Sequence, residues 1–527
     1  MIDKGKERPK GSRRKKVVII VAIASIAIIG VGAYAYNQIF LNHPLIQYAE
    51  AERKTVEKIS GFTEKYHQED QEISDRLNQE RSLTQSSITA DYSLSKSTDE
   101  PLNPMFSIIQ GFLSSTEIKL DTYMNPDTLE STYDMELLVQ SSSLLEGTMF
   151  QSRDVTAVQS DMLFDRAIGI NNNHLGDFLQ DTGEQVTIEE MPNFVELQQQ
   201  SVSNAEANDL TEEYLGFIGK EMSQQDVNIE EDVEYEGKSY GLFTLEMKEE
   251  EVKELLDDLL GKMKNDDRIN AQLNQPFIEN DENPLETLQE EINQLSFPEG
   301  FTYRAYYNNE HVAHRELIGL VEGEEDSVEI SMTVDTFFND KDQYDLEAEI
   351  SLNTLEDDMY FVINYDSMGS PEAHHYHIDR RISVGFEDSV ESGALQIDWN
   401  TTYQDEMFET DFLILADTSD PMMPQIEGTL VKEFSLEANE AAQNYRLNAG
   451  FQRTSELEQG EANRSEFGVR LDQTILFGDE QEYPTFNEED VLKIDELSQE
   501  ELDNLWKTIE QNADDYYDQL LGNFLPF

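Results

Sequence analysis

The chain contains no cysteine, which excludes disulfide bonds, thiolate metal ligands and an anchor built on a lipid-modified cysteine. Basic residues are scarce as well, since 37 Lys and Arg stand against 110 Asp and Glu. The resulting net charge of −73 repels nucleic acids and anionic lipid surfaces, so direct binding to either is disfavoured. The same field attracts divalent cations as a diffuse atmosphere around a solvated acidic surface.

Aromatic residues are plentiful, which argues against a disordered chain. The sequence has 26 Phe and 22 Tyr, side chains that disordered proteins lack and that build apolar cores. A chain of 527 residues predicts two to four structural units. The composition therefore indicates a folded and very acidic protein.

The first residues predict a membrane anchor. Residues 1–16 are rich in Lys and Arg, and the run from Val17 to Tyr36 carries no charge. A helix of that length spans about 30 Å, the thickness of the bilayer hydrocarbon. The positive-inside rule then predicts a cytoplasmic tail at 1–16, a transmembrane helix at 17–36 and a bulk exposed outside the cell.

A cleaved signal peptide is the alternative to this anchor. Ala33-Tyr34-Ala35 matches an A-x-A cleavage pattern, which would end the segment after Ala35. The apolar run is longer than an ordinary signal-peptide core, which favours the uncleaved anchor. Both alternatives export the acidic part, and the anchor places the protein in the cell membrane with a single span.

The exported part is predicted to be α+β, with long antiparallel meanders covered by amphipathic helices. Residues 37–85 form a helical stalk or first packing helix, because apolar residues recur there at helical spacing. A first α+β domain follows at 86–297, an antiparallel meander domain at 298–486, and C-terminal helices at 487–527. The break Phe297-Pro298-Glu299-Gly300 marks the boundary between the two domains.

Within the first domain, two hairpins and several helices are predicted. One hairpin turns at Asn125-Pro126-Asp127, and strand is also expected at 148–152 and 162–170. The second hairpin pairs strands at 227–235 and 240–247. It runs into a helix whose apolar residues form one stripe that must lie on a sheet: Val252, Leu255, Leu256, Leu259, Leu260 and Met263. Another helix follows Asn283-Pro284.

From residue 301 to about 478, apolar and polar residues alternate continuously. Such a pattern is typical of antiparallel strands with one buried face and one charged face. A one-sided sheet of this length must curl or be covered. The helix after the capping box Ser498-x-x-Glu501 is the predicted cover, since it carries Leu502, Leu505, Trp506 and Ile509.

The chain resembles an uncharacterised family of membrane-anchored proteins from Bacillus-type bacteria, a domain of unknown function. The resemblance lies in the basic start, the single span, the helical lead-in and the segment Tyr235-Glu236-Gly237-Lys238-Ser239-Tyr240 before an acidic Leu-Leu helix. The plan of helices on a curved sheet is distantly similar to the lipoprotein-carrier half-barrels. That similarity implies an apolar face able to hold acyl chains.

Two short motifs match catalytic patterns without their structural context. One motif, Gly237-Lys238-Ser239-Tyr240-Gly241, matches the G-x-S-x-G elbow of hydrolases. It lies between two predicted strands, where a hairpin turn favours glycine for its backbone conformation. Ser93-Leu94-Ser95-Lys96 matches S-x-x-K inside a strand. Neither motif predicts a catalytic residue.

Five histidines between 311 and 377 are the remaining candidates for metal ligands. His375 and His377 share a face in a strand, where His311 or Asp379 could complete a site, whereas His311 and His314 point to opposite faces. His374 is the fifth of this group. Asp340-Lys341-Asp342 lacks the glycine and glutamate of a calcium loop. We predict surface histidines, no metal site and no cofactor.

The sequence therefore predicts a non-enzymatic, single-pass protein of the cell envelope with no catalytic, cofactor or metal residues. Its role is to bind a lipid or another apolar ligand, or to serve as a scaffold for an unnamed envelope protein. A filled sheet core favours the scaffold, and an open apolar face favours the carrier. The alternative is an exported hydrolase, which requires a convergent polar cluster in a cleft.

The acidic surface predicts a salt-dependent stability. Self-repulsion among carboxylates lowers stability at low ionic strength, so added salt should raise the melting temperature at neutral pH by screening. Magnesium should act at lower concentration than sodium. Thermal melts of the full chain from low to molar salt measure this, and a flat melting temperature would contradict it.

Overall fold

The computed structural model describes most of the chain from residue 45 onward. The described residues are 45–95, 110–181, 190–200, 227–266, 268–270, 284–323, 327–339, 343–355, 359–371, 376–387, 392–404, 406–418, 424–453, 464–478 and 487–524, with isolated positions between 210 and 221. Twenty strands in this part form one sheet, so the fold is mostly β. The α+β prediction is corrected in this respect: the helices accompany a single very large sheet.

No helix among the described residues is long and apolar enough to cross a membrane. The predicted span at 17–36 lies outside them, as does the cleavage pattern ending at Ala35.

The strands range from two to fourteen residues in length. They are β1 (Ser82–Ser95), β2 (Thr116–Asn125), β3 (Glu130–Val139), β4 (Ser142–Gln151), β5 (Val155–Gln159), β6 (Ile168–Asn171), β7 (Val227–Tyr235), β8 (Lys238–Met247), β9 (Phe301–Tyr307), β10 (Val312–Glu322), β11 (Ser327–Phe338), β12 (Tyr344–Thr354), β13 (Tyr360–Pro371), β14 (Tyr376–Glu387), β15 (Ser392–Gln404), β16 (Met407–Thr418), β17 (Pro424–Leu436), β18 (Glu440–Arg453), β19 (Arg464–Phe477) and β20 (Leu492–Lys493).

Six α-helices accompany the sheet in the described part. They are α1 (Leu45–Gln79), α2 (Leu175–Asp181), α3 (Phe194–Gln200), α4 (Glu249–Lys264), α5 (Pro284–Asn293) and α6 (Gln499–Phe524). Short 3-10 turns occur at Asn172–His174, Glu488–Asp490 and Ile494–Glu496.

Strand pairing follows the chain except at two places, β1 on β19 and β20 on β6. From β7 to β19 each strand pairs with the next, and β1 to β6 do the same. The two meanders join where β1 pairs antiparallel with β19 over the whole of both strands. Only β20 on β6 is parallel among these pairings. Consecutive hairpins dominate because neighbouring strands pair at the lowest loop-closure cost.

The sheet has one apolar and one polar face. Residues that pair directly share a face, and alternate residues point to opposite faces. We call the face that carries Tyr303, Tyr344 and Tyr403 the inner face, and the other the outer face. On β15, for example, the inner side has Leu395, Ile397 and Trp399, and the outer side has Gln396, Asp398 and Asn400.

Helix α1 lies on the inner face and crosses twelve strands near their ends. The 29 residue-to-residue steps from Tyr48 to Leu77 rise about 44 Å, and the eleven spacings from β8 to β19 measure about 53 Å along the sheet. One helix can therefore meet each strand about once. Its contacts advance in order: Tyr48 on β8 and β9, Glu52 on β10, Lys58 on β11, His67 on β15 and β16, Asp70 on β17 and β18, and Arg76 on β19.

Helices α4 and α5 cover a second part of the inner face. Helix α4 starts with three glutamates and ends with lysines, which suits the helix dipole, and its predicted stripe Val252, Leu255, Leu256, Leu259 and Leu260 is buried. These residues pack in one core with Leu245 of β8, Leu317 of β10 and Ile330 of β11. The helix predicted at 252–263 on the 226–247 hairpin is confirmed.

The C-terminal helix covers a different part of the sheet from the one predicted. The capping box forms at its start, where the backbone N–H of Ser498 donates to Glu501 Oε2 at 2.9 Å. Farther along, Asn512 donates to the carbonyl of Leu163 and Tyr516 donates to the carbonyl of Leu144. Helix α6 thus contacts β4 and the turn between β5 and β6, not the 301–478 meander, because β20 on β6 leads the chain there.

Two sequence boundaries also differ from expectation. The strand predicted at 162–170 is mostly a turn, and only Ile168–Asn171 is a strand. At Phe297–Gly300 the chain makes a tight turn, and β8 pairs with β9 across it. One core contains residues from both sides of this turn. The division into domains remains a prediction.

Truncation of the α4 stripe should destabilise the protein. Leu259 is 6% exposed, and Leu259→Ala should cost about 2–5 kcal/mol because it leaves a cavity between α4 and the sheet. The control is Leu355→Ala in the turn after β12, since Leu355 is 49% exposed and should cost under about 0.5 kcal/mol. Urea denaturation of the full chain measures both. Equal midpoints would show that α4 does not cover the sheet.

Candidate functional site

The G-x-S-x-G match is a hairpin turn. Glu236 and Gly237 both have positive φ, 47° and 76°, as the tight turn between β7 and β8 requires. Ser239 is the second residue of β8, and its hydroxyl donates to Asp232 Oδ1 at 3.1 Å. A serine that donates to a carboxylate on an exposed hairpin has no adjacent imidazole base, so this geometry does not activate a nucleophile.

The other motifs lie largely outside the described residues. Ser93 lies in β1 and donates to Glu466 Oε2 on the neighbouring strand at 3.2 Å. Its partner in the motif, Lys96, lies outside the described residues, and so does Asp340-Lys341-Asp342.

The histidines do not converge. His314 bonds Asp335 on the outer face through Nδ1 at 2.7 Å, whereas His311 packs against the ring of Phe338 on the inner face. Burial lowers the pKa of His311 to about 4, so this ring is neutral at pH 7. His377 bonds Asp379 at 2.9 Å, and His374 and His375 lie outside the described residues. The described residues contain no group of three metal-ligating side chains.

A buried polar network fixes α1 to the sheet. The guanidinium of Arg315 on β10 forms two hydrogen bonds to Glu52, of which Nε to Oε1 measures 2.8 Å, and both side chains are buried. Arg315 also donates to Thr336 Oγ1 at 3.2 Å. The hydroxyl of Tyr48 donates to Glu52 Oε1 at 2.9 Å and lies 2.8 Å from that of Tyr303. Each charged group therefore has partners, as burial requires.

Beyond α1, the inner face of the central strands is a continuous apolar surface. Strand register places Ile382, Ile397, Ile414 and Ile426 side by side on β14 to β17. Two residues farther from α1, Val384 pairs with Leu395. On the side nearer α1, Trp399 pairs with Phe412. We call these eight residues the open strip.

The open strip is more exposed than the same face elsewhere. Under α4 and α5, inner-face residues such as Leu317, Val321 and Ile330 are 4%, 2% and 1% exposed. None of the open-strip residues is fully buried, and Leu395 is 40% exposed. A contiguous apolar surface of this kind is a candidate interaction site.

Three basic side chains that the structure describes lie on the inner face. Arg315 pairs with Glu52 and Lys432 pairs with Asp70, so a carboxylate of α1 neutralises each. Arg380 on β14 pairs in register with Trp399 and lies next to the isoleucine row. Burial and the positive charges of Lys432 and Arg380 lower the pKa of His67 on α1, despite Asp70, so the field of Arg380 reaches the helix.

Comparison with known proteins gives only a distant likeness. No family model and no curated protein matches the chain. Among solved structures, the CymD monoaromatic hydrocarbon channel matches at 6% identity and a TM-score of 0.16, covering 76% of this chain and 88% of that one. Pseudomonas aeruginosa OpdQ matches at 7% and 0.24, covering 76% and 97%, and the outer membrane channel DcaP of Acinetobacter baumannii at 5% and 0.23, covering 75% and 96%. At these TM-scores the likeness supports neither a fold assignment nor a function. The resemblance to a membrane-anchored family of unknown function remains a prediction.

The sequence analysis missed the open strip and Arg380 as a site. Both can be read from the alternation of residues along β14, because Arg380 lies on the same face of the strand as Ile382, Val384 and Phe386. A positive charge on an otherwise apolar face is the signal that would have found them.

Breaking the buried pair should loosen α1. Glu52→Gln leaves the charge of Arg315 buried without a counterion, which should cost about 3–5 kcal/mol. The control is Asp398→Asn on the outer face, where the partner Arg381 is exposed and the cost should stay below about 1 kcal/mol. Urea denaturation measures the two midpoints. A Glu52→Gln midpoint equal to that of the control would mean that the pair does not fix the helix.

Proposed function

We propose that the protein is a non-enzymatic binding protein that holds an apolar ligand on the open strip, anchored by residues 17–36 at the outer side of the cell membrane. The observation that carries this proposal is the contrast in exposure along one face of one sheet. Residues of the same type are buried under α4 and α5 and half-exposed on β14 to β17. A filled inner face would instead have favoured the scaffold role.

The apolar content and the shape of the open strip support ligand binding. Its eight residues carry no charge, and their register brings them into three adjacent rows on four strands. Ligand sites in proteins are mostly apolar with a few polar groups that fix orientation. Covering the strip removes apolar surface from water, at about 25 cal/mol per Å².

The outer face of the same strands is polar and does not form a second apolar core. Asp398 accepts hydrogen bonds from Arg381 at 2.6 Å and from Gln396 at 2.8 Å, and Asp411 accepts one from Thr429 at 2.6 Å. These satisfied polar groups keep the outer face in water. The hydrolase alternative receives no support from Ser239, whose hydroxyl is engaged with Asp232.

Tryptophan fluorescence offers a direct test, because the chain has only two tryptophans. Trp399 is part of the open strip, and Trp506 lies on α6. In a Trp506→Phe variant, full-length and in phosphatidylcholine nanodiscs, a dibrominated stearyl alcohol should quench Trp399 fluorescence saturably. Bromine quenches only at close contact, so saturable quenching reports occupancy of the strip and not of the membrane anchor.

A matched pair of leucines provides the control. Leu395→Gln on the inner face should weaken this quenching several-fold, since it places an amide in the ligand's apolar contact. Leu415→Gln on the outer face of the adjacent strand should leave it unchanged, because Leu415 pairs with Gln396 on the other side of the sheet. Absence of saturable quenching, or equal effects of both variants, would refute binding on the open strip.

A further inference from the structure

Arg380 differs from the other described cations of the inner face in its partners. Arg315 and Lys432 each bind a carboxylate of α1. Arg380 forms no ion pair with an Asp or Glu in the part of the chain that the structure describes, and its hydrogen-bond partner is the hydroxyl of Tyr403. This is notable in a chain with 110 acidic residues.

The surroundings of Arg380 are aromatic. Tyr365 and Trp399 lie on the two strands that flank it, with ring centroids 6.4 Å apart. Burial works to lower the pKa of Arg380, but Tyr403, Tyr365 and Tyr344 outweigh it, and the pKa lies above its usual value. The guanidinium therefore remains charged at every physiological pH, half-buried among rings that supply no full negative charge.

Arg380 also stands at one end of the open strip. On β14 the inner face continues from Arg380 through Ile382 and Val384 to Phe386, which is 42% exposed. The six residue-to-residue steps from Arg380 to Phe386 cover about 20 Å. A bound molecule that met the guanidinium with one end would have an apolar track for an extended long acyl chain.

We propose that the ligand of the open strip is an anionic amphiphile, whose headgroup pairs with Arg380 while its chain lies on the isoleucine row toward Phe386. This inference rests on the proposed function and specifies the class of ligand. A carboxylate or phosphate can accept two parallel N–H bonds from a guanidinium, which is the strongest pairing available to it.

The net charge of the protein does not conflict with this pairing. The acidic residues of these strands lie on the outer face, where they repel an extended anionic surface such as a membrane. A single headgroup on the inner face meets Arg380 at contact distance, with the sheet between it and most of that charge. The field thus disfavours adsorption to anionic bilayers and permits capture of one anion.

The test compares two quenchers of equal chain length in the same Trp506→Phe background, full-length and in phosphatidylcholine nanodiscs at mildly alkaline pH. Dibrominated stearate carries a carboxylate, and dibrominated stearyl alcohol does not. Stearate should bind about ten-fold more tightly or better, as expected for a charge-assisted pair. Arg380→Gln should remove this preference while leaving the affinity for the alcohol within about two-fold.

Arg381→Gln is the matched control, because the neighbouring residue pairs with Asp398 on the outer face. It should leave both affinities unchanged. Equal affinity of stearate and alcohol, or a preference that survives Arg380→Gln, would overturn the assignment of the headgroup site and leave the apolar site standing. Saturable quenching by neither compound would overturn the proposed function itself.

Discussion

One constraint governs this molecule: a sheet of twenty strands has a single apolar face, and something must cover it. Helix α1 meets this need by running across twelve strands near one end of each, from Tyr48 on β8 to Arg76 on β19. An apolar helix alone could slide along such a surface. The buried pair of Glu52 and Arg315 sets its position, because any shift would leave two charges without partners in the core.

Covering the strand ends leaves the rest of the inner face to other elements. Helices α4 and α5 close it over β8 to β12, where the core residues are almost fully buried. Over β14 to β17 the described residues provide no such cover, and the isoleucine row is half-exposed. The same sheet thus contains a finished core at one side and an open apolar surface in the middle. A ligand bound there would cover the apolar inner face, as helices α4 and α5 cover it over β8 to β12.

Much of this architecture is local and was predictable. Alternation with a period of two predicted the strands from 301 to 478, and the stripe from Val252 to Leu260 predicted a covering helix, because both patterns arise within a single element. The pairing of β1 with β19 was not predictable, since strands almost 400 residues apart carry no local signal for each other. That junction decides that there is one sheet.

In so acidic a chain, the partner of each cation on the inner face is informative. With so many carboxylates in the chain, a basic residue easily finds one, and α1 supplies Glu52 and Asp70 to the cations it crosses. Arg380 lies beside α1, yet among the described residues its hydrogen-bond partner is the hydroxyl of Tyr403, which solvates a guanidinium without neutralising it. A half-buried charge in this condition is stabilised by any anion that can reach it without bringing water. An anionic amphiphile supplies the negative charge with its headgroup. Its apolar chain at the same time excludes water from the open strip.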